Sequence, residues 1–227
     1  MLPVIEIFGP TLQGEGQRIG CKTMFVRLAG CDYGCTWCDS AYTWRADVLA
    51  RAEAMTAEEI CGRLRSLDPS CREVTISGGN PALHDCGALV ALLGQEGYLR
   101  HVETQGSRPS PWLRAVDSVT ISPKPPSSGM DTDWGLLRQT VAVSARPDLK
   151  VVVFDQNDYD YAQEVHRRHP GLPFTLQVGN NVGTDDTAAL LERLRWMAER
   201  ALSDPGMQGA RVLPQMHVLL WGNKRGV

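Results

Sequence analysis

Short apolar runs rich in Val, Ile and Thr alternate along this chain with longer stretches whose apolar positions recur at helical spacing. The runs at residues 24–28, 73–77, 101–103, 118–121, 149–154 and 173–178 predict buried parallel strands, and 211–213 a late addition to them. The helical stretches are 56–67, 86–95, 134–144, 159–169 and 187–202. The first opens on Thr56-x-x-Glu59, a capping box in which two side chains satisfy orphan backbone donors, and continues with Ile60, Leu64 and Leu67 on one face. Such alternation predicts an α/β architecture built from right-handed crossovers. About six units fit the length, too few for a closed eight-unit barrel, so the expected fold is a partial (βα)6 TIM-like barrel in a single domain, 1–227.

Polar, Gly-rich or Pro-rich loops follow the strand ends: a cysteine loop, Gly78-Gly79-Asn80-Pro81, Glu103-Thr104-Gln105-Gly106, Ser122-Pro123-Lys124-Pro125-Pro126 and Gly179-Asn180-Asn181. In α/β barrels the loops at the C-terminal ends of the strands build the active site. With 23 basic and 26 acidic residues, net charge −3 and no basic block, nucleic-acid binding is not expected. No run approaches the roughly 18 apolar residues of a membrane span. Seven cysteines, an odd number, and an N-terminus without a basic, then apolar, pattern argue for reduced thiols and a cytoplasmic protein.

The cysteine loop reads Cys31-Asp32-Tyr33-Gly34-Cys35-Thr36-Trp37-Cys38, a C-x3-C-x2-C pattern. Three thiolates can hold an iron–sulfur cluster that normally takes four, which leaves one iron open for chemistry. The alternative is a zinc site completed by His84 or a distant cysteine, although the spacing is unusual for zinc. Cys21, Cys61, Cys71 and Cys86 are scattered and read as ordinary thiols.

Arg27 interrupts an apolar strand, and a buried guanidinium needs an acceptor. It either pairs with Glu15 or serves as a fork for a substrate carboxylate. Gln13 and Glu15 can match the donors and acceptors of a heterocycle edge. Asp39-Ser40 offers either a helix cap or oxygen ligands for Mg²⁺.

C-x3-C-x2-C on the loop after the first strand of a partial barrel resembles the radical S-adenosylmethionine superfamily. The resemblance implies a [4Fe-4S] cluster on Cys31, Cys35 and Cys38, with S-adenosylmethionine on the open iron as the source of a 5′-deoxyadenosyl radical. Trp37 takes the superfamily's aromatic position, and Gly78-Gly79-Asn80-Pro81 resembles its Gly-Gly-Glu-Pro element, with Asn80 in place of Glu.

The stretches 6–15, 22–40, 75–83, 103–106, 120–128, 176–180 and 211–227 together are similar to the 7-carboxy-7-deazaguanine synthase family. Most specific are Leu12-Gln13-Gly14-Glu15-Gly16 and the C-terminal Trp221-Gly222-Asn223-Lys224-Arg225-Gly226-Val227. The resemblance implies a carbon–nitrogen lyase of 7-deazapurine (queuosine) biosynthesis that converts 6-carboxy-5,6,7,8-tetrahydropterin to 7-carboxy-7-deazaguanine and ammonia. It implies substrate contacts from Leu12, Gln13, Gly14, Glu15, Arg27 and Ser77, within a substrate-binding segment 6–16. Cofactor contacts are implied for Trp37, Cys38, Asp39, Gly79, Thr104, Ser122, Pro123, Lys124, Gln177, Val178, Gly179 and Asn180. Mg²⁺ would sit on Ser40, where threonine is frequent in the family. An electron donor such as flavodoxin or ferredoxin, a homodimer and a C-terminal segment 211–227 that closes the site complete the expectation.

Two other readings compete. A glycyl-radical activating enzyme shares the small barrel and the cysteine spacing but needs an open groove for a protein partner. A zinc-stabilised module, for instance for tRNA, would lack the basic stripe that such a partner requires.

Overall fold

The computed structural model describes residues 1–183 and 186–227, with Ala46 and Val48 described by their backbone alone. Strands β1 (Leu2–Leu12), β2 (Lys22–Leu28), β3 (Glu53–Met55), β4 (Glu73–Gly78), β5 (Leu99–Thr104), β6 (Ser118–Ile121), β7 (Pro147–Val153), β8 (Phe174–Val178) and β9 (Arg211–Leu213) form one sheet. Among the described residues its nine strands run in the order β3-β1-β2-β4-β5-β6-β7-β8-β9. From β2 to β9 every neighbouring pair is parallel, whereas β1 is antiparallel to both β2 and β3. The sheet is open: β3 and β9 are its two edges.

The parallel strands alternate sharply between two faces. Met24, Val26, Leu28, Val74, Ile76, Val119, Ile121, Leu149, Val151, Val153, Leu176 and Val178 are fully buried on one of them. They pack against a layer of helices: α2 (Ala57–Leu67), α3 (Gly87–Gln95), α4 (Trp134–Val143), α5 (Gln156–Arg168) and α6 (Thr187–Ser203), after a short α1 (Ala46–Leu49). Of the intervening residues, Thr23, Arg27, Thr75, Ser77, Thr120, Asp148, Lys150, Thr175 and Gln177 are polar, with Phe25 and Val152 as apolar exceptions. Strand side chains alternate by two, so these residues make the opposite face a polar floor. Fully buried parallel strands usually read as continuous apolar runs; here half of each strand is reserved for chemistry.

The sequence-predicted strands from 24–28 to 211–213 all fall within or against observed ones. β1 is an addition, because its half-buried residues are interrupted by bulges at Val4/Glu6 and Phe8/Thr11. The capping box of α2 is present, with Glu59 N donating to Thr56 Oγ1 at 3.2 Å and Thr56 N to Glu59 Oε2 at 2.7 Å. α5 starts three residues before the predicted 159, because Asp155 caps it by accepting from Asp158 N at 3.0 Å. Between β5 and β6 the connection is a short 3-10 turn, Pro111–Ala115, with proline at its first position, where the missing N–H would have no partner within the turn. Among the described residues no helix is long and apolar enough to cross a membrane.

The segment after β1 lies on the polar floor. Gly16 N donates to Gln177 Oε1 at 3.3 Å, Gln17 Nε2 to Asp148 Oδ1 at 3.1 Å, and Arg18 grips both oxygens of Glu73 at 2.7 Å. Gly16 has φ +60°, and a Cβ there would come within 3.3 Å of Thr120 Cγ2.

Asp148 sits fully buried beneath this segment, and burial pushes its carboxyl up from 3.8 to about 6 despite hydrogen bonds from Thr120 and Gln17. The folded state therefore holds a proton that the unfolded chain has already released. This contribution is complete below pH 4 and is lost as pH rises to about 6, on the order of 3 kcal/mol for a shift of this size. Thermal unfolding of wild type and Asp148→Asn between pH 4 and 7 checks it. The wild type should lose stability relative to the variant across that window, and a pH-independent difference between them would refute the assignment.

Candidate active site

The loop after β2 carries the three cysteines, and neighbouring loops hold it in place. Gly30 N donates to Thr43 O at 2.8 Å and Thr36 N to Ser128 O at 3.0 Å. Trp37 Nε1 donates to Ser127 Oγ at 2.9 Å, and Ser127 Oγ in turn to Asp158 Oδ2 at 2.6 Å. Trp37 also packs on Phe154, with ring centroids 5.2 Å apart. Asp32, inside the motif, gathers three loops: it accepts from Asn80 Nδ2 at 3.0 Å, Gln105 Nε2 at 2.6 Å and Ser107 Oγ at 2.7 Å.

Cys31, Cys35 and Cys38 line one cleft and are free thiols. Cys31 Sγ accepts from Tyr33 N at 3.4 Å and Gln105 Nε2 at 3.5 Å, and Cys38 Sγ from Trp44 Nε1 at 3.4 Å. N–H donors around sulfur suit a thiolate-bound cluster. Burial pushes the Cys35 thiol up to about 11, so a thiolate there calls for a bound cation. The proposed fourth zinc ligand is otherwise engaged: His84 Nε2 bonds to Ala29 O at 2.7 Å, Cys61, Cys71 and Cys86 are buried in the hydrophobic core, and Cys21 lies against Arg18. Three convergent thiols with no fourth protein ligand among the described residues fit a [4Fe-4S] cluster with an open iron.

The loop after β4 packs directly on the cysteine loop. Gly79 N donates to Leu28 O at 3.1 Å and Asn80 N to Gly30 O at 2.8 Å. Asn80 is fully buried; besides Asp32, it ties down Thr104, whose hydroxyl donates to Asn80 Oδ1 at 2.8 Å. The residue that replaces the superfamily's Glu thus cross-links three loops.

Leu12, Gln13, Gly14, Glu15, Arg27 and Ser77 all line the same cleft. So do Trp37, Asp39, Ser40 and Gly79, together with Thr104, Ser122, Lys124 and Asn180. Pro123, Gln177, Val178 and Gly179 are not among the lining residues. Val178 belongs to the hydrophobic core, and the Gln177 amide is engaged by Gly16 N and Leu213 O. Gly179 O accepts from Arg193 at 2.6 Å. Ser77 Oγ and Asn180 Oδ1 are buried without a hydrogen-bond partner among the described residues. Buried polar atoms without partners are costly, so both fit contacts to bound molecules. Among the described residues Ser40 Oγ has Cys38 Sγ, at 3.7 Å, as its hydrogen-bond partner; this hydroxyl next to Asp39 is a hard oxygen set of the kind Mg²⁺ takes.

Arg27 pairs with Glu6 rather than Glu15: its Nε lies 2.9 Å from Glu6 Oε1, across the β1–β2 register. Its guanidinium lies 5.4 Å from the Phe8 ring centroid and 5.8 Å from that of Tyr42. Its terminal nitrogens hydrogen-bond to no described group, which leaves a fork facing the cleft. Glu15 instead meets Lys150 of β7 through Oε2 and Gln215 through Oε1. Burial would raise the Glu15 carboxyl, but the Lys150 ammonium, His217 and the two hydrogen bonds outweigh it and hold it well below the usual carboxylate range. Gln13 Nε2 donates to Glu103 Oε1 at 3.3 Å, and Gln13 Oε1 accepts from Glu15 N at 3.2 Å.

The C-terminal residues cover this end of the cleft. Met216 N donates to Gly14 O at 2.9 Å, at the start of α7 (Met216–Trp221). His217 and Val227 line the cleft. Arg225 stacks 3.6 Å over the Tyr42 ring and pairs with Glu6 at 3.3 Å. Glu15, Asp39 and His217 place donor atoms within 4.8 Å of one another, but the Lys150 ammonium already supplies a positive charge on Glu15 Oε2, so this trio is not assigned to a metal ion. Lys150, Gln215, His217 and Asp32 are site residues that sequence reasoning did not single out. For Lys150 a signal existed, a charge within an apolar strand like Arg27.

Comparison with known proteins agrees with this geometry. A family described as a 4Fe-4S single cluster domain matches residues 12–106. The 7-carboxy-7-deazaguanine synthase of Bacillus cereus is 48% identical, covering 100% of this chain and 99% of the relative. That of Bacillus subtilis is 47% identical, covering 100% and 98%. In fold, the crystal structure of QueE from Escherichia coli superposes with TM-score 0.68 over 95% of this chain and 94% of that one, at 24% identity. Matched over its full length at such identity, the chain belongs to the 7-carboxy-7-deazaguanine synthase family.

Proposed function

We propose that this chain converts 6-carboxy-5,6,7,8-tetrahydropterin to 7-carboxy-7-deazaguanine with loss of ammonia. The observation that carries the reading is one cleft lined by the three cysteines and by Glu15, Arg27 and Ser77 together. When bound, a [4Fe-4S] cluster with S-adenosylmethionine supplies one-electron chemistry and removal of a substrate hydrogen atom, and Mg²⁺ supplies a Lewis acid.

The chain's own residues bind and orient. Cys31, Cys35 and Cys38 would hold the cluster, and Ser40 the Mg²⁺. Trp37, Asp39, Gly79, Thr104, Ser122, Lys124 and Asn180 would contact the S-adenosylmethionine, with Pro123, Gln177, Val178 and Gly179 shaping the backbone behind them. The open fork of Arg27 suits the substrate carboxylate. Ionised Glu15 accepts ring N–H groups, and Leu12, Gln13 and Gly14 flank it. The covering C-terminal residues exclude water, which strengthens each polar contact. They also disfavour the open groove that a protein substrate would need.

The open sheet is read as a partial barrel whose polar floor lines the cleft, in one domain spanning 1–227 and working in the cytoplasm. A small redox protein, flavodoxin or ferredoxin, would deliver the electron, and the homodimer expectation rests on the family resemblance. Anaerobic reconstitution with iron and sulfide, then incubation with the carboxytetrahydropterin, S-adenosylmethionine, Mg²⁺ and a reductant, tests the function. The expected products are 7-carboxy-7-deazaguanine and ammonia in equal amounts. Absence of both from a protein that carries its cluster and cleaves S-adenosylmethionine would overturn it.

A further inference from the structure

Lys150 is a full charge on the floor of the cleft, and its side chain is only 7% exposed. Its ammonium touches Glu15 and lies 3.9 Å from Glu103 Oε1. A buried ion pair is a poor stability device, since packed apolar residues of the same volume often do as well or better. Its partner Glu15 lies outside any strand, at the start of the 3-10 turn Gly16–Arg18, where little else restrains a long side chain. Lys150 from β7 and Gln215 from the C-terminal segment hold its two oxygens from two directions.

We propose that Lys150 is a positioning residue that fixes the Glu15 carboxylate, ionised, in the orientation that reads two adjacent N–H donors on the 2-amino-4-oxopyrimidine edge of the substrate. The proposal rests on the substrate reading above. Each carboxylate oxygen has two lone pairs. Lys150 takes one on Oε2 and Gln215 one on Oε1, which leaves one on each oxygen. Two parallel acceptors match a ring N–H beside an exocyclic amine, as an aspartate or glutamate does for any amidine-like edge. Asp39 and His217 also face Glu15, and Asp39, Glu103 and Lys124 face Lys150. Without the lysine, burial and the negative charges of Asp39 and Glu103 favour the neutral Glu15 carboxyl, which offers a single acceptor and a misplaced donor.

The test uses reconstituted holoenzyme of wild type, Lys150→Met, Lys150→Arg, Glu15→Gln and the Lys150→Met/Glu15→Gln double variant. KM for the carboxytetrahydropterin is measured from pH 6 to 9, with calorimetric affinity for oxidised 6-carboxypterin, which keeps the same edge. Lys150→Met should weaken both about 30- to 100-fold at pH 7, the scale on which one charge-assisted hydrogen bond acts. The deficit should shrink as pH rises and Glu15 ionises, while cluster absorbance stays at the wild-type level. Lys150→Arg should recover part of the affinity. Glu15→Gln should show a pH-independent loss, and the double variant should bind no worse than Glu15→Gln.

An unchanged KM in Lys150→Met, or a pH-independent loss that adds in full to that of Glu15→Gln, would overturn the proposal. If Lys150→Met does not fold, the double variant, which leaves no unpaired buried charge, decides against Glu15→Gln alone by the same criterion. Failure of the wild type itself to turn over the carboxytetrahydropterin sinks the substrate reading. A working wild type with an indifferent Lys150 sinks only this inference.

Discussion

Cys35→Ala yields a folded protein without a stable cluster and without measurable turnover. Cys35 is the most buried of the three thiols, at 8% exposure, and with it gone no described residue can replace it: His84 is engaged by Ala29 O and the remaining cysteines are elsewhere. Two thiolates leave two irons of the cube without protein ligands, and such a cluster is lost. The fold survives, because the loop is held by groups other than sulfur, namely Thr36 N and Oγ1 on Ser128 O and Ser127 O, and Trp37 Nε1 on Ser127 Oγ. Iron analysis after anaerobic reconstitution should fall from about four atoms per chain to below one, with loss of the absorbance around 400 nm. Cys86→Ala is the contrast. That thiol is fully buried in the core, so its loss costs stability, on the order of 1 kcal/mol, and leaves the cluster intact. Retention of full iron and activity by Cys35→Ala would remove the site from the cysteine loop.

How much of this was legible in the sequence depended on range. The apolar half of each parallel strand repeats every second residue, and the cysteines lie within one loop, so short windows expose both. The pairing of Arg27 with Glu6 depends on the register of β1 on β2, and β1 itself is broken by bulges that erase its alternation. For Arg27 the sequence left two readings, a pair with Glu15 or a fork for a substrate carboxylate, and Glu15 is claimed by Lys150, 135 positions away. Gln215 and His217 reach the cleft only because the chain returns over it after β9. Asn80 looked like a weakened motif position; its role became visible only with Asp32, Thr104 and Ser107 around it. Local pattern therefore finds the cluster and the strands, whereas the charge partners of the substrate end are set by tertiary contacts that no local window contains.

Gly79→Ala damages both the fold and the chemistry, since the same atoms serve both. A Cβ on Gly79 would lie 2.0 Å from Gly30 O, 2.5 Å from Gly30 C and 2.9 Å from Cys31 Cβ. The obstruction is backbone rather than the end of a flexible side chain, so relief requires the β4 loop and the cysteine loop to move apart. That breaks the bond from Asn80 N to Gly30 O and displaces Cys31 from Cys35 and Cys38. Overpacking of this kind costs about 3 kcal/mol, which for a chain of this length lowers Tm by roughly 6–12 °C. Gly62→Ala, in α2 with nothing within 4 Å of the added Cβ, is the matched control; it should raise stability by about 0.5–1 kcal/mol through helix propensity alone. Because Gly79 also lines the cleft, a Gly79→Ala protein held below its lowered Tm should still bind S-adenosylmethionine weakly and cleave it slowly. A variant with wild-type Tm and wild-type cleavage would show that the two loops do not meet at this glycine, and with that the packing that brings the cluster to the substrate would fail.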